Sequence, residues 1–283
     1  MKSLESCYTL RNGVEIPVIG FGTWQTPDGD VAESSVRTAI EAGYRHIDTA
    51  SEYHNEESVG RGIHSSGIPR EQLFITTKLW NADHGYESTL KAFDLSMKRL
   101  GLDYCDLYLI HWPNPVMFRD CWQQKNAESW KAMEKLLEEG RIRAIGISNF
   151  LPHHIDALLK TANIMPAVEQ MKLNPTLLQN EVREYCEKLG MIVEAYSPLG
   201  TGKVLSLPEI CGIAAAHGKS AAQVCVRWSL QKGFLPLPKS VTPERIRSNA
   251  EVFDFALSDD EMARLDALDL KFGPFRDPDA TTF

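Results

Sequence analysis

Eight short apolar runs, each followed by a segment of helical period, limit what this chain can fold into. The runs lie at 18–23, 44–49, 73–79, 105–112, 143–149, 167–173, 191–197 and 235–240. Most are apolar through their middles instead of alternating, as parallel strands covered on both faces are. Helices are predicted at 30–42, 55–65, 85–101, 126–139, 152–162, 178–189, 206–217 and 243–250, with two additional ones at 219–232 and 258–269. Over 85–101, Tyr86, Leu90, Phe93, Met97 and Leu100 recur at three- and four-residue steps, and Gly101 supplies the stop. Eight such alternations fit an α/β (β/α)8 TIM barrel better than an open dinucleotide-binding sheet. Asn12-Gly13 between two β-prone runs predicts an N-terminal hairpin on the barrel floor. With no linker, low-complexity tract or short repeat, 1–283 reads as one domain.

Composition narrows the function classes. At 43% hydrophobic and 24% charged residues the chain is globular, and a net charge of −8 without a basic run disfavours nucleic acid and anionic membranes as partners. Neither a signal-peptide core nor a long apolar span is visible, so a cytoplasmic protein is expected. The cysteines, scattered without CxxC pairs, are expected to be reduced packing thiols. Gly20-Phe21-Gly22 does not continue into GxGxxG, and GTGK at 200–203 lacks the rest of a P-loop. No HExxH occurs. His153 and His154 are expected to open a water-exposed helix after Pro152, and no metal is predicted.

Functional groups of such barrels gather at the carboxyl ends of the strands. Asp48 ends the second predicted barrel strand, Lys78 the third and His111 the fourth, while Tyr53 lies just beyond the second. Singly, each has an ordinary explanation as a loop residue, an ion pair or a packed ring. On one rim they form an acid: a Lys78 cation is expected to lower the pKa of the Tyr53 phenol, Asp48 to hold Lys78, and His111 to donate to a substrate oxygen.

The segments HIDTASEY, ITTKLW and LIHWP, which carry these residues, resemble the signature regions of the aldo-keto reductase family. GISNF at 146–150, VEQMKLNP at 168–175, AYSPLG at 195–200 and LPKSVTPERIRSN at 237–249 extend the resemblance over nearly the whole chain. It implies a monomeric, NADPH-dependent oxidoreductase that reduces aldehydes and ketones, with Asp48, Tyr53, Lys78 and His111 catalytic. It further implies that Ser148, Asn149, Gln170 and Tyr196 hold the nicotinamide, that Lys239, Ser240 and Arg245 meet the 2′-phosphate, and that Asn249 faces the adenine. Gly22, Thr23, Trp24, Asp48, Ser197, Leu199 and Val241 complete the implied NADPH/NADP+ contacts, and Trp24, Tyr53, Trp80, His111 and Trp112 the substrate pocket. The short segments after the fourth strand, at 200–208 and at the C-terminus resemble branches acting on methylglyoxal, 2,5-diketo-gluconate or prostaglandin-type ketones, which implies an open pocket. Two rival readings are a nucleotide-binding regulatory or structural barrel without turnover, and a Schiff-base lyase using Lys78.

Overall fold

A computed structural model describes residues 3–269 and 276–283. A hairpin comes first, pairing β1 (Cys7–Thr9) with β2 (Glu15–Pro17) in antiparallel register. Its turn depends on Gly13, whose φ of 83° is open to glycine and strained for other residues. Eight parallel strands follow in chain order: β3 (Phe21–Gly22), β4 (His46–Asp48), β5 (Phe74–Leu79), β6 (Cys105–Ile110), β7 (Ile142–Ser148), β8 (Val168–Lys172), β9 (Ile192–Tyr196) and β10 (Leu235–Leu237). The ring closes where Gly20 and Gly22 donate to the carbonyls of Pro236 and Pro238, at 3.0 and 3.1 Å. The two prolines have no N–H to give back, so this seam runs one way. The seam is also tight, since a Cβ on Gly20 would lie 2.5 Å from Leu237 Cδ2 and 2.7 Å from His46 Nδ1.

Among the described residues ten helices surround the barrel: α1 (Asp30–Glu41), α2 (Glu56–Ser65), α3 (Tyr86–Leu100), α4 (Trp122–Glu138), α5 (Pro152–Leu159), α6 (Asn180–Lys188), α7 (Pro208–Ala216), α8 (Ala221–Gln231), α9 (Pro243–Ser248) and α10 (Asp259–Asp266). Every predicted helix is present. Gly101 caps α3 in the left-handed conformation, at φ 66°. Helix α4 starts four residues before the predicted 126, and the Asn126 side chain turns from within it to the carbonyl of Pro113, at 2.9 Å. Both α7 and α8 lie in the crossover from β9 to β10, α8 against β10 and α7 against α8 and α10.

Apolar residues form two layers. Val18, Ile47, Phe93, Ile145, Trp130 and Trp228 belong to the larger one, between strands and helices. Leu107, Leu109, Val168, Leu235 and Leu237 fill the lower barrel interior, which Leu10 and Ile16 of the hairpin region close from below. Above them the interior turns polar, with His46, Asp48, Thr76, Lys78, Gln170 and Glu194 all buried. No helix among the described residues is long and apolar enough to cross a membrane.

Two sequence expectations need correction. Cys105, Cys186 and Cys225 are buried thiols, but Cys7 and Cys211 are exposed. His154 is fully buried, unlike its half-exposed neighbour His153. Adjacent residues on a helix do converge when a third comes to them: Asp279, from the C-terminal tail, accepts from His154 Nε2 at 2.9 Å and lies 3.0 Å from His153 Nε2. His154 Nδ1 accepts the Leu151 N–H at 3.1 Å, so the ring's proton sits on Nε2 and that nitrogen donates.

Candidate active site

Strand register brings the predicted quartet together. Asp48 ends β4, Lys78 sits one residue before the end of β5, and His111 follows β6 directly, its N–H bonded to the carbonyl of Leu79 at 3.1 Å. Tyr53 closes a 3-10 turn at Ser51–Tyr53, and Ser51 Oγ fastens that turn to the Lys78 carbonyl at 3.1 Å. Lys78 Nζ donates to Asp48 Oδ1 at 2.7 Å, to Asp48 Oδ2 at 2.8 Å and to the Thr49 carbonyl at 2.8 Å, with the Tyr53 hydroxyl at 3.3 Å. An ammonium has three protons, and three closer oxygens already claim them.

That competition reverses one expectation. Tyr53 is held well above the ordinary phenol pKa, first by burial and then by the Asp48 carboxylate, because Asp48 offsets the Lys78 cation that was to lower it. The hydroxyl therefore keeps its proton at neutral pH. Burial, then Lys78 and His84, push His111 well below the usual imidazole range, so this ring is neutral and has one N–H to donate. It packs edge-on against Tyr53 and Trp80, with centroids 5.8 and 5.2 Å apart.

A continuous cavity of about 990 Å³ runs from these groups across the strand ends, at the large end of the range for small-molecule sites. Gly22, Trp24, Ser148, Asn149, Gln170, Tyr196, Ser197, Leu199, Lys239, Ser240, Arg245 and Asn249 line it, as do Trp80 and Trp112. Two residues implied for the cofactor are not in its wall. Thr23 is sealed behind it, bonding the Asp48 carbonyl through Oγ1 at 3.0 Å, and Val241 is exposed outside.

The residues implied for the nicotinamide are already coupled to one another. Tyr196 Oη donates to Asn149 Oδ1 at 2.8 Å, and Asn149 Nδ2 donates to the His111 carbonyl and to Ser148 Oγ, both at 3.0 Å. Asn149 and Ser197, just past β7 and β9, both have positive φ (63° and 49°), a cost that surrounding structure must over-determine. At the other end Lys239 reaches the Gln25 carbonyl at 3.0 Å, and it shares that end with Arg245.

Sequence reasoning missed several residues. Phe283, from the tail, stacks on Trp80 with centroids 5.8 Å apart and meets Trp112 edge-on at 5.2 Å, adding a wall where an open pocket was implied. Asn114 and His154 grip Asp279, Arg119 bonds the Thr281 carbonyl and the Val116 N–H bonds that of Phe283, at 2.7–3.1 Å. Nothing in the spacing of the tail signals this. Glu194 was also missed, although a carboxyl in the middle of the apolar run 191–197 was a visible anomaly.

The sequence profile of the Aldo/keto reductase family matches residues 18–270. The chain belongs to the aldo-keto reductase family. It is 49% identical to the glyoxal reductase of Bacillus subtilis over 283 residues, covering 99% of each chain. Among solved structures, an aldo-keto reductase from a deep-sea metagenome library of the Medee basin superposes with a TM-score of 0.92 at 42% identity, covering 98% of this chain and 100% of the other. The Bombyx mori aldo-keto reductase in complex with NADP superposes with a TM-score of 0.85 at 34% identity, over 97% and 98% of the two chains. As an aldo-keto reductase, the chain is an NADP-dependent oxidoreductase.

Proposed function

We propose that this aldo-keto reductase reduces aldehydes and ketones with NADPH, using Tyr53 as the proton donor. The observation that carries the reading is the Tyr53 hydroxyl, protonated and 3.3 Å from the Lys78 ammonium, in the same cavity that Lys239 and Arg245 line. The donor set fits the dinucleotide: cations for a 2′-phosphate, an aromatic ring at Tyr196 and two amides for a nicotinamide. When bound, NADPH supplies a hydride to the carbonyl carbon. Tyr53 gives its proton to the carbonyl oxygen, and the phenolate so formed stands beside Lys78, whose charge then has a second anion to stabilise. His111 donates its one N–H to the same oxygen and fixes the carbonyl's orientation. Trp24, Trp80, Trp112 and Phe283 exclude water and favour carbonyl compounds with apolar bodies. A Schiff-base role for Lys78 is disfavoured, since its three N–H groups are committed at 2.7–2.8 Å. Six free cysteines suit a reducing, cytoplasmic setting.

Tyr53→Phe should bind NADPH with unchanged affinity and lose 10²-fold or more of its turnover on glyoxal, on the order expected for a general acid. Near-normal turnover would refute the assignment. Lys239→Met with Arg245→Ala should weaken NADPH far more than NADH; equal weakening would remove the 2′-phosphate reading.

A further inference from the structure

Beneath the rim quartet lies a second carboxyl that the proposed chemistry does not use. Glu194, on β9 two residues before Tyr196, is completely buried. Its register partner on β8 is Gln170, and Gln170 Nε2 donates to Glu194 Oε2 at 2.8 Å and to Asp48 Oδ2 at 2.8 Å. Both acceptors are carboxyl groups. Turning the amide over would set its oxygen against the Asp48 carboxylate, so its orientation is fixed, both N–H groups are spent, and the carbonyl oxygen is the one group Gln170 has left for a ligand in the cavity it lines.

We infer that Glu194 is a positioning residue for the cofactor: it locks the Gln170 amide so that the barrel offers an acceptor, and no donor, from this position to the nicotinamide carboxamide N–H₂. This rests on the proposed placement of the nicotinamide at Gln170.

Glu194 accepts from Gln170 whether neutral or ionised, and when neutral it adds no second anion beside Asp48. The ionisable groups facing it are His46 and Asp48 from β4 and Lys78 from β5. His46 is itself held neutral by burial, and Asp48 already pairs with Lys78. Burial, then Asp48, push the Glu194 carboxyl up to about 8. Oε2 accepts from Gln170, so the proton sits on Oε1, which has no hydrogen-bond partner and faces His46 Nε2 across 3.9 Å. Ionisation would put a second carboxylate beside Asp48 with one ammonium for both.

The test is ligand affinity, read from quenching of the tryptophan fluorescence, for NADPH and for 2′,5′-ADP, which lacks the nicotinamide. Glu194→Leu should weaken NADPH about tenfold, the worth of roughly one hydrogen bond, and leave 2′,5′-ADP unchanged, while Glu194→Gln, which keeps an acceptor, should match the native protein. Unchanged NADPH affinity in a folded Glu194→Leu protein, or equal weakening of both ligands, would overturn the inference. Glu194→Ala, which removes the acceptor without adding bulk, decides the matter if Glu194→Leu does not fold. In Glu194→Ala the preference for NADPH over 2′,5′-ADP should fall by about the same tenfold; an unchanged preference would overturn the inference. Gln170→Leu separates the two claims. If it leaves NADPH affinity intact, the nicotinamide placement fails; if it weakens NADPH while Glu194→Leu does not, the lock alone fails.

Discussion

Replacing Lys78 by Met would separate what the buried ion pair does for the fold from what it does for the reaction. Lys78 has no exposed surface, and among the described residues its ammonium is the sole hydrogen-bond donor to Asp48 Oδ1; Oδ2 retains Gln170 Nε2. Lys78→Met therefore leaves a buried carboxylate with one oxygen unsatisfied, a situation that costs about 3–5 kcal/mol. For a domain of this size that is a fall in Tm of roughly 6–20 °C. Adding Asp48→Asn removes the charge and should recover most of the stability. Turnover should stay down by about 10²–10⁴-fold in both variants, since the phenolate of Tyr53 then has no cation beside it. The assay is thermal unfolding alongside steady-state reduction of glyoxal. A single variant as stable as the native protein, or a double variant no better than the single, would refute the reasoning.

Three further outcomes are expected. Burial holds His46 and His84 at about 3 and His154 at about 4, against 6.5 in an unfolded chain, so their contribution to stability is present above pH 6.5 and is lost as pH falls; His84→Phe should move the acid-unfolding midpoint to lower pH, and an unchanged midpoint would count against a neutral buried ring. Phe283→Ala should raise KM for aromatic aldehydes by about tenfold, in line with the loss of an aromatic contact of roughly 0.5–1.5 kcal/mol, without changing NADPH affinity, and an equal effect on glyoxal would show that the ring is not a wall for large substrates. Gly20→Ala forces a Cβ to 2.5 Å from Leu237 at the closing seam and should destabilise by about 1–3 kcal/mol in urea unfolding; a neutral result would mean that the seam has slack.

Much of this protein was legible in the sequence alone. Eight apolar runs alternating with helical segments specify a barrel because a parallel strand needs a covering helix on its outer face and a neighbour on each edge, and both requirements are local. The quartet was legible for the same reason. Asp48, Lys78 and His111 sit at the ends of such runs, and in this fold all strand ends share one rim. Faces and charge balance were not legible. Glu169 and Glu194 both interrupt apolar strands, yet Glu169 turns outward to accept the Phe150 N–H at 3.1 Å while Glu194 turns inward to Gln170. A period of two shows that adjacent residues face opposite ways, but only the closed ring decides which way is in. Three-dimensional proximity likewise set the sign of the Tyr53 shift, buried His154, and carried Phe283 from the end of the described chain to the wall of the pocket. Those outcomes depend on which groups crowd one small volume, and a linear order of residues does not contain that distance.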